Sequence, residues 1–208
     1  MSNSFSENHT YKAMTLSGHG QVSPVPNIAT IRLGVQSSGE NLIQIQSENA
    51  QKIQSILQAL KQIGVSDIKT FQYSIDKIYD YQNGNRIDKG YSVRNILEIK
   101  TTDLDKTGII IDTAVNNGAN AVELISFDVS NSEFYYQQAL NLAVSNAIQK
   151  SKSISMNLGI KSTPLPVHII ENSTQPAPQQ QFFREAVTTP IVPGNIQIQA
   201  SVTVEFSY

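Results

Sequence analysis

Cysteine is absent from all 208 residues. That gap removes disulfides, thiolate nucleophiles, iron-sulfur clusters and cysteine-ligated zinc together, without fixing the compartment. Charge is also scarce, at 15% Asp, Glu, Lys and Arg with a formal net charge of -2. No Lys/Arg run is dense enough to follow a phosphate backbone, so nucleic acid is not expected as a partner. No stretch approaches the roughly 20 apolar residues that span a bilayer, so no transmembrane segment is expected. Histidine is limited to His9, His19 and His168, none with a partner at helical i+4 spacing. An imidazole-based metal or catalytic centre therefore has little to build from, and no catalytic, cofactor or metal site is expected. The opening MSNSFSENHTYKAMT lacks the basic start and the apolar run of about 7 to 15 residues that make a secretory signal. As written, the chain is expected to be cytoplasmic, and extracytoplasmic if a signal has been removed.

What is present is a core and an amide-rich surface. Hydrophobic residues make up 39% of the chain, and its 19 Gln and 17 Asn outnumber the 15 basic and 17 acidic residues taken together. Such a surface hydrogen-bonds without exerting a long-range field. The length suits one domain over residues 15–208 after a flexible segment 1–14.

Periodicity supplies the elements. Residues 18–27 read as turn-rich, with Gly18, Gly20 and Pro26 shaping a turn. Ala29, Ile31, Leu33 and Val35 then alternate with polar residues as a half-buried strand does. Ser37 and Glu40 stand three apart like a capping box, ahead of a helix whose stripe of Leu42, Ile45, Ile53, Ile56, Leu57, Leu60 and Ile63 ends at Gly64. Phe71, Tyr73 and Ile75 begin a strand that runs toward Asn83-Gly84, a tight hairpin signal. In its partner, Tyr91, Val93, Asn95, Leu97 and Ile99 share one face, and Arg94, Glu98 and Lys100 the other. Thr102 or Asp103 can cap a short helix ending at Gly118. A strand over 122–129, a long helix from Ser132 to Gly159, a strand over 167–171 and a clearly alternating strand over 196–206 complete the pattern. Residues 172–190, rich in Pro and Gln, read as a long loop or arm.

Each strand has one polar face, so the expected fold is α+β: a two-layer sandwich in which helices cover one face of a mostly antiparallel sheet. Strand-helix-strand units repeat with weak internal duplication. A doubly wound parallel sheet, the alternative, requires near-continuous apolar strands.

The chemical motifs fail on context. Gly18-His19-Gly20 lacks the last glycine of a dinucleotide loop and is followed by Pro24 and Pro26 where a helix should open. Ser74 to Lys77 matches S-x-x-K and Lys106-Thr107-Gly108 matches K-T-G, but the middle element is missing and the serine falls in a strand. Asp103, Asp105 and Asp112 cluster at the second helix, where acids near a helix start favour the macrodipole. Phe182, Phe183 and Arg184, in the polar 172–190 segment, form the candidate partner contact, an adhesive patch or a local anchor.

Several segments follow one another in order: Leu16-Ser17-Gly18-His19-Gly20 with Pro26, Ala29-Thr30-Ile31-Arg32-Leu33-Gly34-Val35, and Gly64-Val65-Ser66-Asp67-Ile68-Lys69-Thr70. Gly90-Tyr91-Ser92-Val93-Arg94-Asn95, Ile111-Asp112-Thr113-Ala114-Val115-Asn116-Asn117-Gly118-Ala119-Asn120, the Ala-rich third helix and Pro190-Ile191-Val192-Pro193-Gly194 continue the series. In this order they resemble the SIMPL-domain family, whose bacterial members include YggE-like proteins linked to oxidative-stress defence and periplasmic immunogenic proteins. The resemblance implies a mixed α/β fold, a tendency to oligomerise and no catalytic residues to transfer. The expected function is thus a non-enzymatic assembly or protein-interaction scaffold, forming a homo-oligomer or holding a protein partner and associated with oxidative-stress defence. The alternative is a small-ligand-binding or hydrolytic enzyme using scattered carboxylates with Tyr79, Tyr81 or Tyr91.

Overall fold

The computed structural model describes residues 12–172 and 193–208. In chain order the elements are β1 (Ala13–Val22), β2 (Ile28–Gly39), α1 (Leu42–Gln62), β3 (Ile68–Gln82), β4 (Asn85–Thr101), α2 (Lys106–Asn116), β5 (Ala121–Asp128), α3 (Ser132–Asn157), β6 (Leu165–Glu171) and β7 (Ile198–Ser207). They divide into two compact units, one from residues 12–24, 131–172 and 195–208, the other from 25–130 with 193–194.

In the second unit four strands lie in the order β3-β4-β2-β5, each neighbouring pair antiparallel. β2 and β3 therefore run parallel with β4 between them, and β4 and β5 run parallel with β2 between them. This is the split β-α-β arrangement, in which two strand-helix-strand units interlock, and the expected duplication takes that form. Ile31, Leu33 and Val35 of β2 and Leu97 and Ile99 of β4 meet Ile53, Ile56 and Leu60 of α1 and Ile110 and Ala114 of α2. Both helices thus cover the same sheet face, and each large side chain buried there contributes about 1.5–3 kcal/mol of transfer free energy. Asn49 interrupts the apolar stripe of α1 while buried, because its Nδ2 donates to the carbonyl oxygens of Val35 (3.0 Å) and Val93 (3.2 Å). Asn120 prolongs the β2–β5 pairing: its side chain accepts from the Gln36 amide and donates to the Gln36 carbonyl, both at 2.8 Å.

In the first unit β7 is the central strand, antiparallel to β1 on one side and β6 on the other. The alternation read in the sequence is realised: Ile198, Ala200, Val202, Val204 and Phe206 are buried. α3 packs on β1 and β7 through Ala139, Ala143 and Ala147, all fully buried. Each unit is thus helix on one face of an antiparallel sheet, the α+β sandwich expected.

Three local expectations are corrected. Gly18 and Gly20 shape no turn; they lie within β1, and a Cβ on either would come within 2.0 Å of the carbonyl oxygen of Ala143 or Ala139. Their role is close approach of a helix backbone to a strand. Ser37 and Glu40 form no capping box, because β2 continues to Gly39 and Asn41 caps α1, accepting from the Gln44 amide at 3.2 Å. Neither Thr102 nor Asp103 caps α2, whose N-cap is Asp105, without a side-chain cap bond. The three glycine helix ends hold: Gly64, Gly118 and Gly159 have φ of 84°, 105° and 66°. At each, the next amide reaches back to close a Schellman motif, as Val65 does to Leu60 at 3.0 Å.

Candidate functional site

The motif residues scatter. Ser74 lies in β3, while Lys106 opens α2 and pairs with Asp103 at 3.4 Å. Asp103, Asp105 and Asp112 are exposed. A depression of about 390 Å³ near the start of α2 is lined by Asp67, Lys100, Asp103 and Lys106 among others. His19 and His168 are exposed on β1 and β6. Among the described residues no three His, Asp or Glu side chains gather as metal ligands, and no helix is long and apolar enough to cross a membrane. Phe182, Phe183 and Arg184 lie outside the described residues.

Tyr79 and Tyr81 belong to a ribbon, with Tyr91 at its base. β2 pairs with β4 only as far as Gly39 opposite Tyr91, so the β3–β4 hairpin continues beyond as two strands, closed by Asn83 and Gly84 at φ 51° and 82°. Two strands alone are marginal in water, and cross-strand pairs hold these. Lys77 meets Asp88 at 2.7 Å and lies 5.6 Å from the Tyr91 ring, while Arg86 stacks 3.9 Å above Tyr79. The hydrogen bond and charge of Asp88 raise the Lys77 pKa, and the same bond, with the Gly90 amide, lowers that of Asp88.

On the helix-free face of the four-stranded sheet, Glu98 of β4 is nearly buried and accepts from Arg32 (2.8 Å) and Lys69 (3.0 Å). The Arg32 guanidinium lies 3.6 Å from the Phe71 ring centroid. Burial pushes the Glu98 carboxyl upward, but the hydrogen bonds and charges of Lys69 and Arg32 outweigh it and hold the pKa below its ordinary value. Arg94 and Glu123 pair on the same sheet. Sequence reasoning placed Glu98 on this polar face without its partners, because the register that sets Arg32 opposite Glu98 is not written in either strand.

The feature best suited to contact is the contrast between the two edges of the three-stranded sheet. At β1 the edge is partly covered at its middle: the His19 amide donates to Asn146 Oδ1 (3.2 Å) and the Ser17 carbonyl accepts from Lys150 Nζ (2.7 Å), both from α3. Free strand edges invite pairing with other chains, and such covering blocks it. β6, the opposite edge, is exposed along its whole length, and Leu165, Val167, Ile169 and Ile170 are 63%, 59%, 48% and 47% exposed. Tyr136 of α3 reaches Glu171 by a hydrogen bond, but the hydrophobic side chains of β6 stay open to solvent. The missed signal was compositional: four large hydrophobics in seven residues, with a proline that suits an edge strand.

A family model described as SIMPL, protein of unknown function (DUF541), matches residues 14–206. The chain belongs to the SIMPL family. Among its SIMPL relatives, the uncharacterized protein YggE of Escherichia coli (strain K12) is 26% identical over 189 residues, covering 89% of this chain and 76% of the relative. The YggE of Edwardsiella ictaluri (strain 93-146) is 25% identical over 174 residues, 82% and 73% of the two chains. The 26 kDa periplasmic immunogenic protein of Brucella melitensis biotype 1 is 26% identical over 209 residues, covering 93% and 83%. The matched residues take in all ten elements of the SIMPL fold described above.

Proposed function

We propose that this SIMPL protein is a non-enzymatic assembly or protein-interaction scaffold that makes its contacts through the open edge of its three-stranded sheet. The observation that carries the proposal is the asymmetry of that sheet: one edge has the His19 amide and the Ser17 carbonyl engaged by α3, while the other offers an apolar strand to solvent. A strand added at an edge gains main-chain hydrogen bonds for affinity and side-chain contacts for specificity. The name of the Brucella relative supports an extracytoplasmic setting. A part in oxidative-stress defence would be indirect, since a cysteine-free chain has no thiol redox cycle, and purified protein is expected to consume no peroxide. The hydrolytic alternative draws on Tyr79 and Tyr81, which are exposed on the ribbon, and on the half-buried Tyr91 at its base; Tyr79 and Tyr91 lie beside cations.

Light scattering on the full chain tests the scaffold. The expected result is an assembly whose mass falls when Ile169→Lys places a charge on β6. An unchanged mass, or a strict monomer at all concentrations together with no partner retained by β6, counts against the proposal.

A further inference from the structure

Asparagine precedes glycine twice in the chain, at Asn83-Gly84 and at Asn117-Gly118. This dipeptide is the one most prone to lose its side-chain amide, because glycine leaves the following backbone nitrogen unhindered. In that reaction the glycine nitrogen attacks the asparagine Cγ and gives up its proton. The Cγ–Nδ2 bond breaks and ammonia leaves, closing a succinimide ring, which water then opens to aspartate or isoaspartate. One water is consumed and one ammonia released, and nothing is oxidised or reduced.

The fold treats the two sites differently. Asn117, half-buried at the end of α2, donates from Nδ2 to the Thr113 carbonyl at 2.8 Å. The attacking group there is also engaged, since the Gly118 amide donates to the Val115 carbonyl at 3.0 Å. A Cβ on Gly118 would meet Lys52 Cγ at 3.2 Å, so α1 closes over the site. Asn83 and Gly84 are exposed instead, and a Cβ on Gly84 would meet nothing within 4 Å. They lie beyond the last paired residues, Gln82 and Asn85, with positive φ at both positions as a type I′ turn requires. The closed turn points the Asn83 Cβ away from the Gly84 nitrogen, so the attack waits for the tip to open. Opening the tip breaks ribbon pairs and spares the core, and such local opening needs far less free energy than global unfolding.

We propose that Asn83 is a site of spontaneous modification, converted to aspartate or isoaspartate at a rate set by the opening of the ribbon tip. This inference stands apart from the β6 edge. Isoaspartate carries the backbone through Cγ and adds an atom to a two-residue loop, which then no longer fits the turn. Tyr79 with Asp88 and Tyr81 with Arg86 are the pairs nearest that loop on one face of the ribbon, so the modification loosens the face that bears both tyrosines.

Peptide mass mapping of the full chain, incubated at mildly alkaline pH, tests this, with Asn117 as the internal control. Asn83 is expected to convert while Asn117 stays intact, and in urea both are expected to convert at similar rates. Asp88→Ala removes the pair with Lys77 and is expected to speed conversion at Asn83 by about 1.5- to 5-fold, the effect of one cross-strand charge pair, without touching Asn117. General unfolding of the variant would speed both sites, so the control separates it from opening of the tip. Hydrogen exchange on the converted protein is expected to show faster exchange at residues 79–88 alone. Conversion of Asn117 as fast as Asn83 in the folded chain overturns the assignment, as does an Asn83 that stays intact there while converting in urea. A rate at Asn83 indifferent to Asp88→Ala overturns control by the ribbon, and unchanged exchange overturns the loosening.

Discussion

Gly18 and Gly20 show how a residue can matter by what it lacks. α3 lies against β1 so closely that the Ala139 and Ala143 carbonyl oxygens occupy the space a side chain on either glycine would need. Gly20→Ala is therefore expected to push helix and strand apart. The cost should be about 1–3 kcal/mol or more, the usual range for overpacking, read as a lower urea midpoint at unchanged slope; a midpoint within error of the parent would show that the two backbones can separate freely. Glu98 makes the complementary case, a charge that stays on a sheet because two cations meet it. Its folded pKa lies below the ordinary value. The stability from this pairing is thus fully present above the usual glutamate range and is lost as the pH falls through that range toward the folded value. Glu98→Gln is expected to be less stable than the parent at neutral pH and to lose less on acidification. Parallel acid-denaturation curves for the two proteins would contradict this.

At the scale of elements, what could be read from the chain depended on whether the signal was local. The helix ends at Gly64, Gly118 and Gly159, the Asn83-Gly84 turn and the alternation in β7 are local signals, and the structure keeps them. β1 was misread because glycine marks both turns and close approaches, and only the helix placed over Gly18 and Gly20 decides between them. The Ser37 and Glu40 spacing was outweighed by strand pairing, since β2 stays bonded to β4 as far as Gly39. The contact edge escaped for a related reason. Residues 167–171 read as a strand, but nothing within them says that β7 takes one side and leaves the other bare, while α3 guards β1 from 127 residues away in sequence.

For the whole molecule, the order of the chain makes the two units unequal in autonomy. The three-stranded sheet gathers β1 from the beginning, β6 from the later part and β7 from the end, with the last of these at its centre. Nothing in that unit can pair until the final strand is available, because β1 and β6 each bond to β7. The four-stranded unit draws all its elements from one stretch instead. Its strands, both its helices and every residue of its core cluster fall within 25–130, which keeps its pairings comparatively local and its loop-closure cost low. A fragment of residues 25–130 is therefore expected to fold alone, with dispersed amide resonances and a cooperative urea transition. A chain ending before residue 195 should keep those resonances and lose the ones from β1, β6 and α3. If the fragment is collapsed without a cooperative transition, its core needs more than the contacts inside 25–130, and the division into two units is not one of stability.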